Sequence, residues 1–439
     1  MSENDNLTFL DDLGLGFAVD RLGPAKYPTP MRVGCLTGDD ERILYHTDVA
    51  IVRRLLDEGC ELPSFERAGP REQLFFNPIG LRAGIVTCGG LCPGINDVIR
   101  AIVLCLHYHY GVESVDGFRY GYEGLIPDYG HEPISLTPAR VEMISDFGGT
   151  VLGTSRGNQD VGRMVDTLVT RGVSILFTIG GDGTLRGAGA IAAEIARRGL
   201  PIAVVGVPKT IDNDIAFIER SFGFITATAE AQRVIEGAHS EALAARNGIG
   251  LVKLTGRDSG FIAAYSALAD SQVNFCLVPE VPFALESFLD ALRDRLAARG
   301  HAVIVVAEGA GQELVGRTGA RDASGNVKLG DIGLFLREAI NGYFKELGTP
   351  INLKYIDPSY TIRSLPANTY DSAYGLLLGY NAVHAAMSGR TNMVVGYWNN
   401  EYTHVPIPLA VYRRKTINPQ ARLWNNVLLA TGQRLASPA

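Results

Sequence analysis

The chain has 439 residues, with 40 Lys plus Arg against 47 Asp plus Glu, a formal net charge of −7. Hydrophobic residues make up 46% and charged residues 20%, a globular balance that excludes a disordered chain. The acidic balance excludes a general nucleic-acid binder, which needs a basic surface, but leaves room for small phosphorylated ligands held by a local cluster of Arg and Lys.

The length suits two or three domains at roughly 100–200 residues each. Residues 1–10 are acidic and polar, without the basic-then-apolar pattern of a signal peptide. No window of about 18 apolar residues occurs, so neither a leader nor a membrane span is expected. Residues 1–79 contain several prolines and no strong strand–glycine–helix unit, and read as an N-terminal extension of modest local structure. The cysteines at 35, 60, 88, 92, 105 and 276 are scattered, as in a reduced cytoplasmic protein. Cys88 and Cys92 are four apart, but no His or Cys follows at zinc spacing, so they read as small buried residues.

Glycine accounts for 51 residues, roughly 12%, where about 7% is usual. The glycines cluster directly after apolar, β-branched runs, where strands end and helices begin. In 84–106 an apolar run ends at Thr87, a Gly/Pro loop follows, and an amphipathic helix starts at Asn96. In 173–199 a buried strand reaches Ile179, a Gly-Gly-Asp-Gly turn follows, and an Ala-rich helix ends at Gly199. In 202–214 a strand meets a polar loop. Later apolar runs at 250–256 and 302–311 alternate with helical stretches at 258–269, 286–299 and 331–346. A boundary is placed near Ser221, where the phosphate-loop signals stop, and the tail from about 410 reads as helical or irregular. Alternating strands and helices indicate an α/β fold with mostly parallel sheets.

The strand-end loops carry the chemistry. Glycines at a helix start let backbone N–H groups approach a phosphate, and the helix dipole favours the anion. In 180-GGDGTLRG-187 the Asp182 carboxylate is a candidate for a phosphate-bound Mg²⁺. Taken alone, the turn is as easily an ordinary tight turn, and it lacks the Gly-Lys-Ser/Thr ending of a Walker loop. The loop 208-PKTIDND-214 offers Asp212, Asp214, Thr210 and Lys209, and a carboxylate beside a substrate hydroxyl can act as general base in phosphoryl transfer. Alone, its Asp and Asn read as caps of a turn; following the Gly-Gly-Asp-Gly turn so closely, they read as chemistry. Arg156 and Arg257 sit in glycine-flanked loops, and an Arg fork binds two phosphate oxygens. Glu308 closes a buried run as a cap partner or a ligand of substrate hydroxyls. Lys354, Tyr360 and Arg363 lie in a segment of loop character that suits a sugar phosphate.

These residues, taken together and in order, resemble the 6-phosphofructokinase family. The resemblance rests on 87-TCGGLCPGIN-96, 152-LGTSRG-157, 180-GGDGT-184, 207-VPKTIDND-214, 222-FGFITA-227, 254-LTGR-257, 278-VPEVPF-283 and 307-AEG-309, and covers roughly residues 80–400. The Lys-Thr-Ile-Asp-Asn-Asp variant and the extension are similar to the longer group with plant, protist and some bacterial members. The resemblance implies two Rossmann-like three-layer α/β domains with the active site in the cleft between them. A donor-binding domain would span 80–220, completed by about 355–410, and a sugar-phosphate domain 221–354, with 1–79 as extension and 411–439 as tail. It implies ATP-dependent phosphorylation of fructose 6-phosphate at the 1-hydroxyl, in glycolysis, with Mg²⁺. Asp212 would be the base, Asp182 the metal-associated carboxylate with Asp214 nearby, and Lys209, Thr210 and Arg257 the other catalytic groups. Gly90, Tyr122, Arg156, Gly157, Gly181, Asp182, Gly183, Thr184 and Gly187 would bind the donor. Thr210, Ile211, Asp212, Thr255, Gly256, Arg257, Glu308, Lys354, Tyr360 and Arg363 would bind the sugar phosphate. A cytoplasmic, allosteric homotetramer or homodimer is expected, with no nucleic-acid or membrane partner.

The donor turns on two positions. Pyrophosphate-using relatives carry Asp where this chain has Gly183, and that carboxylate would repel the nucleotide's α-phosphate. Lys209 is of the pyrophosphate type, but the same pairing occurs in ATP-using members of the longer group, so ATP is expected and pyrophosphate is the alternative. Three departures stand out: Thr255 where many members have Met; Gly248, with Arg246 nearby, where short enzymes have an Arg donated across a subunit interface; and Lys354 with Tyr360 in place of Arg and His. Lipid and NAD kinases share Gly-Gly-Asp-Gly-Thr but lack the 208–214 loop and the 254–257 motif. A non-catalytic sugar-phosphate-sensing subunit is the alternative of another class, against which stand Asp182, Asp212 and Arg257.

Overall fold

The structure, a computed structural model, describes residues 15–32, 34–316 and 327–437. The strands of its two main sheets are, in chain order, β1 (Arg42–Leu44), β2 (Ser64–Arg67), β3 (Arg82–Thr87), β4 (Ser114–Phe118), β5 (Ile134–Ser135), β6 (Ile175–Gly180), β7 (Ala203–Pro208), β8 (Gly248–Leu254), β9 (Phe275–Leu277), β10 (His301–Ala307), β11 (Asn352–Ile356), β12 (Met393–Trp398) and β13 (Glu401–Pro406). The helices used below are α1 (Ile95–Cys105), α2 (Asp182–Arg197), α3 (Phe224–Ala244), α4 (Leu285–Arg299), α5 (Ile332–Glu346) and α6 (Thr369–Met387). The chain forms two units. One comprises residues up to Thr210 with Ile215–Phe222 and Pro366–Arg413, and the other Ile211–Asp214, Gly223–Leu365 and Arg414 onward.

The first unit is built on a nine-stranded sheet in the order β1-β2-β13-β12-β7-β6-β3-β4-β5. Its centre, β12-β7-β6-β3-β4, is parallel, and the innermost strands β6 and β7 are wholly buried, which is why they read as unbroken apolar runs. Val86, Leu176, Val204 and Val394 face Leu185, Ala188 and Ile191 of α2 on one side. The alternate residues Ile85, Phe177 and Val205 point to the other face, where α6 lies against β7 and packs on α1. The chain leaves β3 toward β4 on one side and returns to β6 on the other, so the carboxyl ends of β3 and β6 flank a switch point, where α/β sheets bind ligands.

The stretch 1–79, expected as an extension, supplies strands to this sheet: β1 pairs with β2, and β2 with β13, both antiparallel. Phe65 on β2 is fully buried, while its neighbour Glu66, 4% exposed, meets the cations of Arg71 and Arg390. The Glu66 carboxylate accepts from Arg390 (Nε at 2.5 Å) and Arg71 (3.2 Å), and Arg390 also reaches Asp39 at 2.7 Å. Burial alone would raise the Glu66 pKa, but the buried His404 ring beside it and the Arg390 guanidinium hold it far below the carboxylate range. Non-local ion pairing thus seats a segment whose own periodicity is weak.

The second unit holds an all-parallel sheet, β9-β10-β8-β11. Ile249, Leu251, Ile304 and Val306 meet Phe288 and Leu292 of α4 and Leu336 and Ile340 of α5 on one face. On the other face α3 approaches so closely that a Cβ on Gly248 would lie 2.0 Å from the Ala242 carbonyl oxygen. That closeness requires glycine, and an arginine at 248 has no room. The exposed Arg246 stands at the amino end of β8, opposite Thr255–Arg257. The tail beyond Arg414 belongs to this unit and carries a helix at Arg422–Thr431. Cys88, Cys92, Cys105 and Cys276 are buried and Cys35 and Cys60 exposed, all as free thiols. Among the described residues, no helix is long and apolar enough to cross a membrane.

Candidate functional site

Each unit gathers part of the expected constellation at the carboxyl ends of its strands. In the first unit, Gly181 caps α2, so the backbone N–H groups of its first turn have no helical acceptor and face outward. Asp182 opens the helix. One of its carboxylate oxygens accepts from Arg186 Nε at 3.1 Å, and the other, Oδ1, is buried without a hydrogen-bond partner. Gly183 is exposed, and a Cβ there would meet nothing within 4 Å. Lys209, 5% exposed, donates its backbone N–H to Gly180 at 2.9 Å and its ammonium to the Gly90 carbonyl at 2.6 Å. It therefore ties the β3 loop to the β6–α2 turn.

The loop before Arg156 is anchored to the same place. Gly89 donates to the Ser155 carbonyl at 3.2 Å, and Thr154 Oγ1 donates to the Gly89 carbonyl at 2.7 Å. Arg156 and Gly157 follow, both exposed. Tyr122, expected as a donor contact, packs against two other residues of the expected donor set. It is buried, its hydroxyl donates to the Thr184 carbonyl at 2.7 Å, and its ring fills the space that a side chain at Gly187 would need. It supports the first turn of α2 from beneath. Thr184 is buried as well. Thr210 closes this unit's share of the loop, its carbonyl accepting from Ser221 Oγ at 2.6 Å.

In the second unit, β8 and β10 end side by side, with Leu254 level with Ala307. Glu308 donates its backbone N–H to Leu254 at 2.9 Å, and Gly309 to Gly256 at 3.0 Å. A Cβ on Gly309 would stand 1.8 Å from the Arg257 carbonyl oxygen, so only glycine lets these loops meet. Asp212, half-buried beside buried Ile211, sits among carboxylates. Burial first, then Asp214 and Glu308, push its carboxyl up to about 7, against the Thr255 hydroxyl and Arg414, which favour the ionised form. Burial likewise raises Glu308, opposed by Arg257, Lys253 and Arg363. Asp214 is fixed by Arg414 at 3.1 Å, and Arg414 also pairs with Asp258 at 2.9 Å. Arg257 donates to the Val327 carbonyl at 2.6 Å.

Arg363 stacks on the ring of Tyr360 at 4.9 Å, and Tyr360 is 74% exposed. Lys354 is not brought to this edge. It is exposed and, in register, level with Gly250 and Val303, five residues short of Glu308, roughly 16 Å at about 3.3 Å per residue. Two basic groups escaped the sequence reading. Lys253 is the one charge inside the apolar run 250–254, which was a usable signal. Arg414 lies in the tail, where nothing local marks it.

The residues fit a magnesium ion in the way such ions are held beside phosphates, by one or two carboxylates and the substrate's own oxygens. The buried, unpartnered Oδ1 of Asp182 at a helix N-terminus is the group suited to it.

Known proteins resemble this chain in sequence and in fold. The family profile "Phosphofructokinase" matches residues 82–386. The ATP-dependent 6-phosphofructokinase of Borreliella burgdorferi is 50% identical over 436 residues, covering 96% of this chain and 98% of its own. That of Amycolatopsis methanolica is 47% identical over 442 residues, covering 97% and 95%. The crystal structure of a pyrophosphate-dependent phosphofructokinase from Marinobacter aquaeolei superposes with a TM-score of 0.67 at 20% identity, covering 82% of this chain and 93% of that one, a likeness of fold alone. With a profile match across most of its length and half its residues shared with a relative of equal extent, the chain belongs to the phosphofructokinase family.

Proposed function

We propose that the chain transfers the γ-phosphoryl group of ATP to the 1-hydroxyl of fructose 6-phosphate, giving fructose 1,6-bisphosphate and ADP. The observation that carries this reading is the carboxylate cluster of Asp212, Asp214 and Glu308 at the ends of β8 and β10, which holds a base poised near neutral pH. Asp212 takes the proton of the sugar hydroxyl as its oxygen attacks the γ-phosphorus, and the bond between the γ-phosphorus and its bridging oxygen breaks to release ADP. Arg257 offers positive charge to the phosphoryl group in flight, and the N–H groups opening α2 cradle the donor phosphates. Asp182 would hold Mg²⁺, which neutralises phosphate charge when bound. Thr255 and Glu308 orient the sugar, while Tyr360 and Arg363 receive its 6-phosphate. Gly183 leaves open the space beside the donor, which favours a nucleotide over pyrophosphate.

The protein works as a homo-oligomer in the cytoplasm on this reading. A rate assay with fructose 6-phosphate and Mg²⁺, supplied with either ATP or pyrophosphate, tests it. Turnover with ATP alone is expected. Turnover with pyrophosphate alone would make Lys209 rather than Gly183 the donor determinant. Inactivity of folded protein with both donors would leave a sugar-phosphate-sensing subunit.

A further inference from the structure

Lys253 is out of place for its strand. β8 is a central strand of a parallel sheet, and its other six residues are buried and carry no charge. A lysine there loses hydration unless it is paired. Lys253, its side chain 11% exposed, has two partners, Asp331 and Asp357, each at 2.9 Å. Burial disfavours its ammonium, but the two carboxylates outweigh burial and hold its pKa above the ordinary range. The lysine is therefore charged at every working pH.

Both partners begin something. Asp331 caps α5, accepting from the Leu334 N–H at 3.0 Å. Asp357 follows β11 directly and organises the turn after it. Its Oδ1 accepts from the Ser359 N–H at 3.1 Å and from the Ser359 hydroxyl. The turn then closes on itself, with Thr361 Oγ1 donating to the Pro358 carbonyl at 2.9 Å and Ser364 Oγ to the Tyr360 carbonyl at 2.6 Å. Tyr360 and Arg363 project from this turn, stacked on one another.

We infer that Lys253 is a positioning residue for sugar-phosphate binding: through Asp357 it anchors the turn 357–364 to β8 and sets where Tyr360 and Arg363 stand relative to Glu308 and Arg257. This rests on the fructose 6-phosphate reading above. A hydrophobic residue in this strand would pack as well against the sheet but would leave Asp357 with no cation to hold the turn. Lys253 touches neither substrate nor the reacting atoms in this role, so its effect falls on the affinity of one substrate rather than on chemistry.

The test is steady-state kinetics of the full-length enzyme carrying Lys253→Met, Lys253→Arg or Asp357→Asn. The unaltered enzyme is assayed first with ATP and fructose 6-phosphate, and its inactivity would refute the functional reading independently of Lys253. With that activity in hand, Lys253→Met should raise KM for fructose 6-phosphate at least tenfold while kcat and KM for ATP stay within about twofold. Lys253→Arg should recover most of the loss, because it restores a cation between the same carboxylates. Asp357→Asn should raise the same KM by a smaller factor, about threefold, and serves if Lys253→Met does not fold. An unchanged KM for fructose 6-phosphate in folded Lys253→Met or Asp357→Asn would overturn the inference. So would an equal loss across kcat and both KM values, which is the mark of a merely structural residue.

Discussion

Replacing Asp212 with Asn separates catalysis from stability with opposite signs. A carboxyl held at about 7 instead of its ordinary 3.8 binds its proton more tightly in the folded protein than in the unfolded chain. Its contribution to stability is therefore fully present below about pH 4 and is lost as pH rises through 7. At about 1.4 kcal/mol per pKa unit the full cost approaches about 4 kcal/mol above pH 8, and sharing of charge with Asp214 leaves a few kcal/mol as the working figure. The amide side chain keeps the volume and removes the charge. The Asp212→Asn protein should therefore unfold at a higher denaturant concentration than the original at pH 8, with little difference at pH 4. Its kcat should fall by about 10²–10⁴, equivalent to about 3–5 kcal/mol of barrier, because the sugar hydroxyl loses its base. In the unaltered enzyme kcat should drop below about pH 7, as Asp212 takes up its proton. Paired denaturant titrations and pH–rate profiles measure all three. A variant with kcat within tenfold of the original, or one less stable at pH 8 than at pH 4 relative to it, would refute the assignment of Asp212 as a strained base.

Three further outcomes follow from single contacts. Gly183→Asp should leave the melting temperature unchanged, since its Cβ meets nothing within 4 Å, while kcat/KM for ATP falls roughly tenfold or more from carboxylate–phosphate repulsion; unaltered ATP kinetics would remove Gly183 from donor choice. Gly248→Ala should lower the unfolding free energy by about 1–3 kcal/mol, read as a lower urea midpoint at unchanged m-value, because the new Cβ would stand 2.0 Å from the Ala242 oxygen; an unchanged midpoint would mean α3 does not press on β8. Arg390→Met should cost about 3–5 kcal/mol by leaving Glu66 and Asp39 short of a buried partner, and a loss under about 1 kcal/mol would show that Arg71 and Arg21 satisfy the two carboxylates without it.

The strand-and-turn organisation of this protein was legible in its sequence. Strands buried on both faces announce themselves as apolar runs, and the turn after each needs glycine where backbone must approach a phosphate or another loop. That is why β3, β6, β7, β8 and β10 and the polar loop 208–214 could be placed from residues alone, whereas Asp182, read as part of a turn, opens α2. The helices expected at 286–299 and 331–346 lie at Leu285–Arg299 and Ile332–Glu346. Long-range pairing was not legible. β1 and β2 are too short and irregular to show a period, and they become strands only because β13 offers an antiparallel edge and Arg390 a charge for Glu66. Tyr122 was expected at the donor site, and only the packing shows that it also lies under Gly187 and holds the Thr184 carbonyl. Lys354 looked like a phosphate ligand, and the register of β11 left it well short of Glu308. Lys253 acquires its partners 78 and 104 positions later in the chain, and Arg414 reaches back to Asp214 from the tail. Sequence periodicity records what each segment wants of its immediate surroundings. Which charges meet across a sheet depends on register and crossover, and those are settled only when the whole chain has found its core.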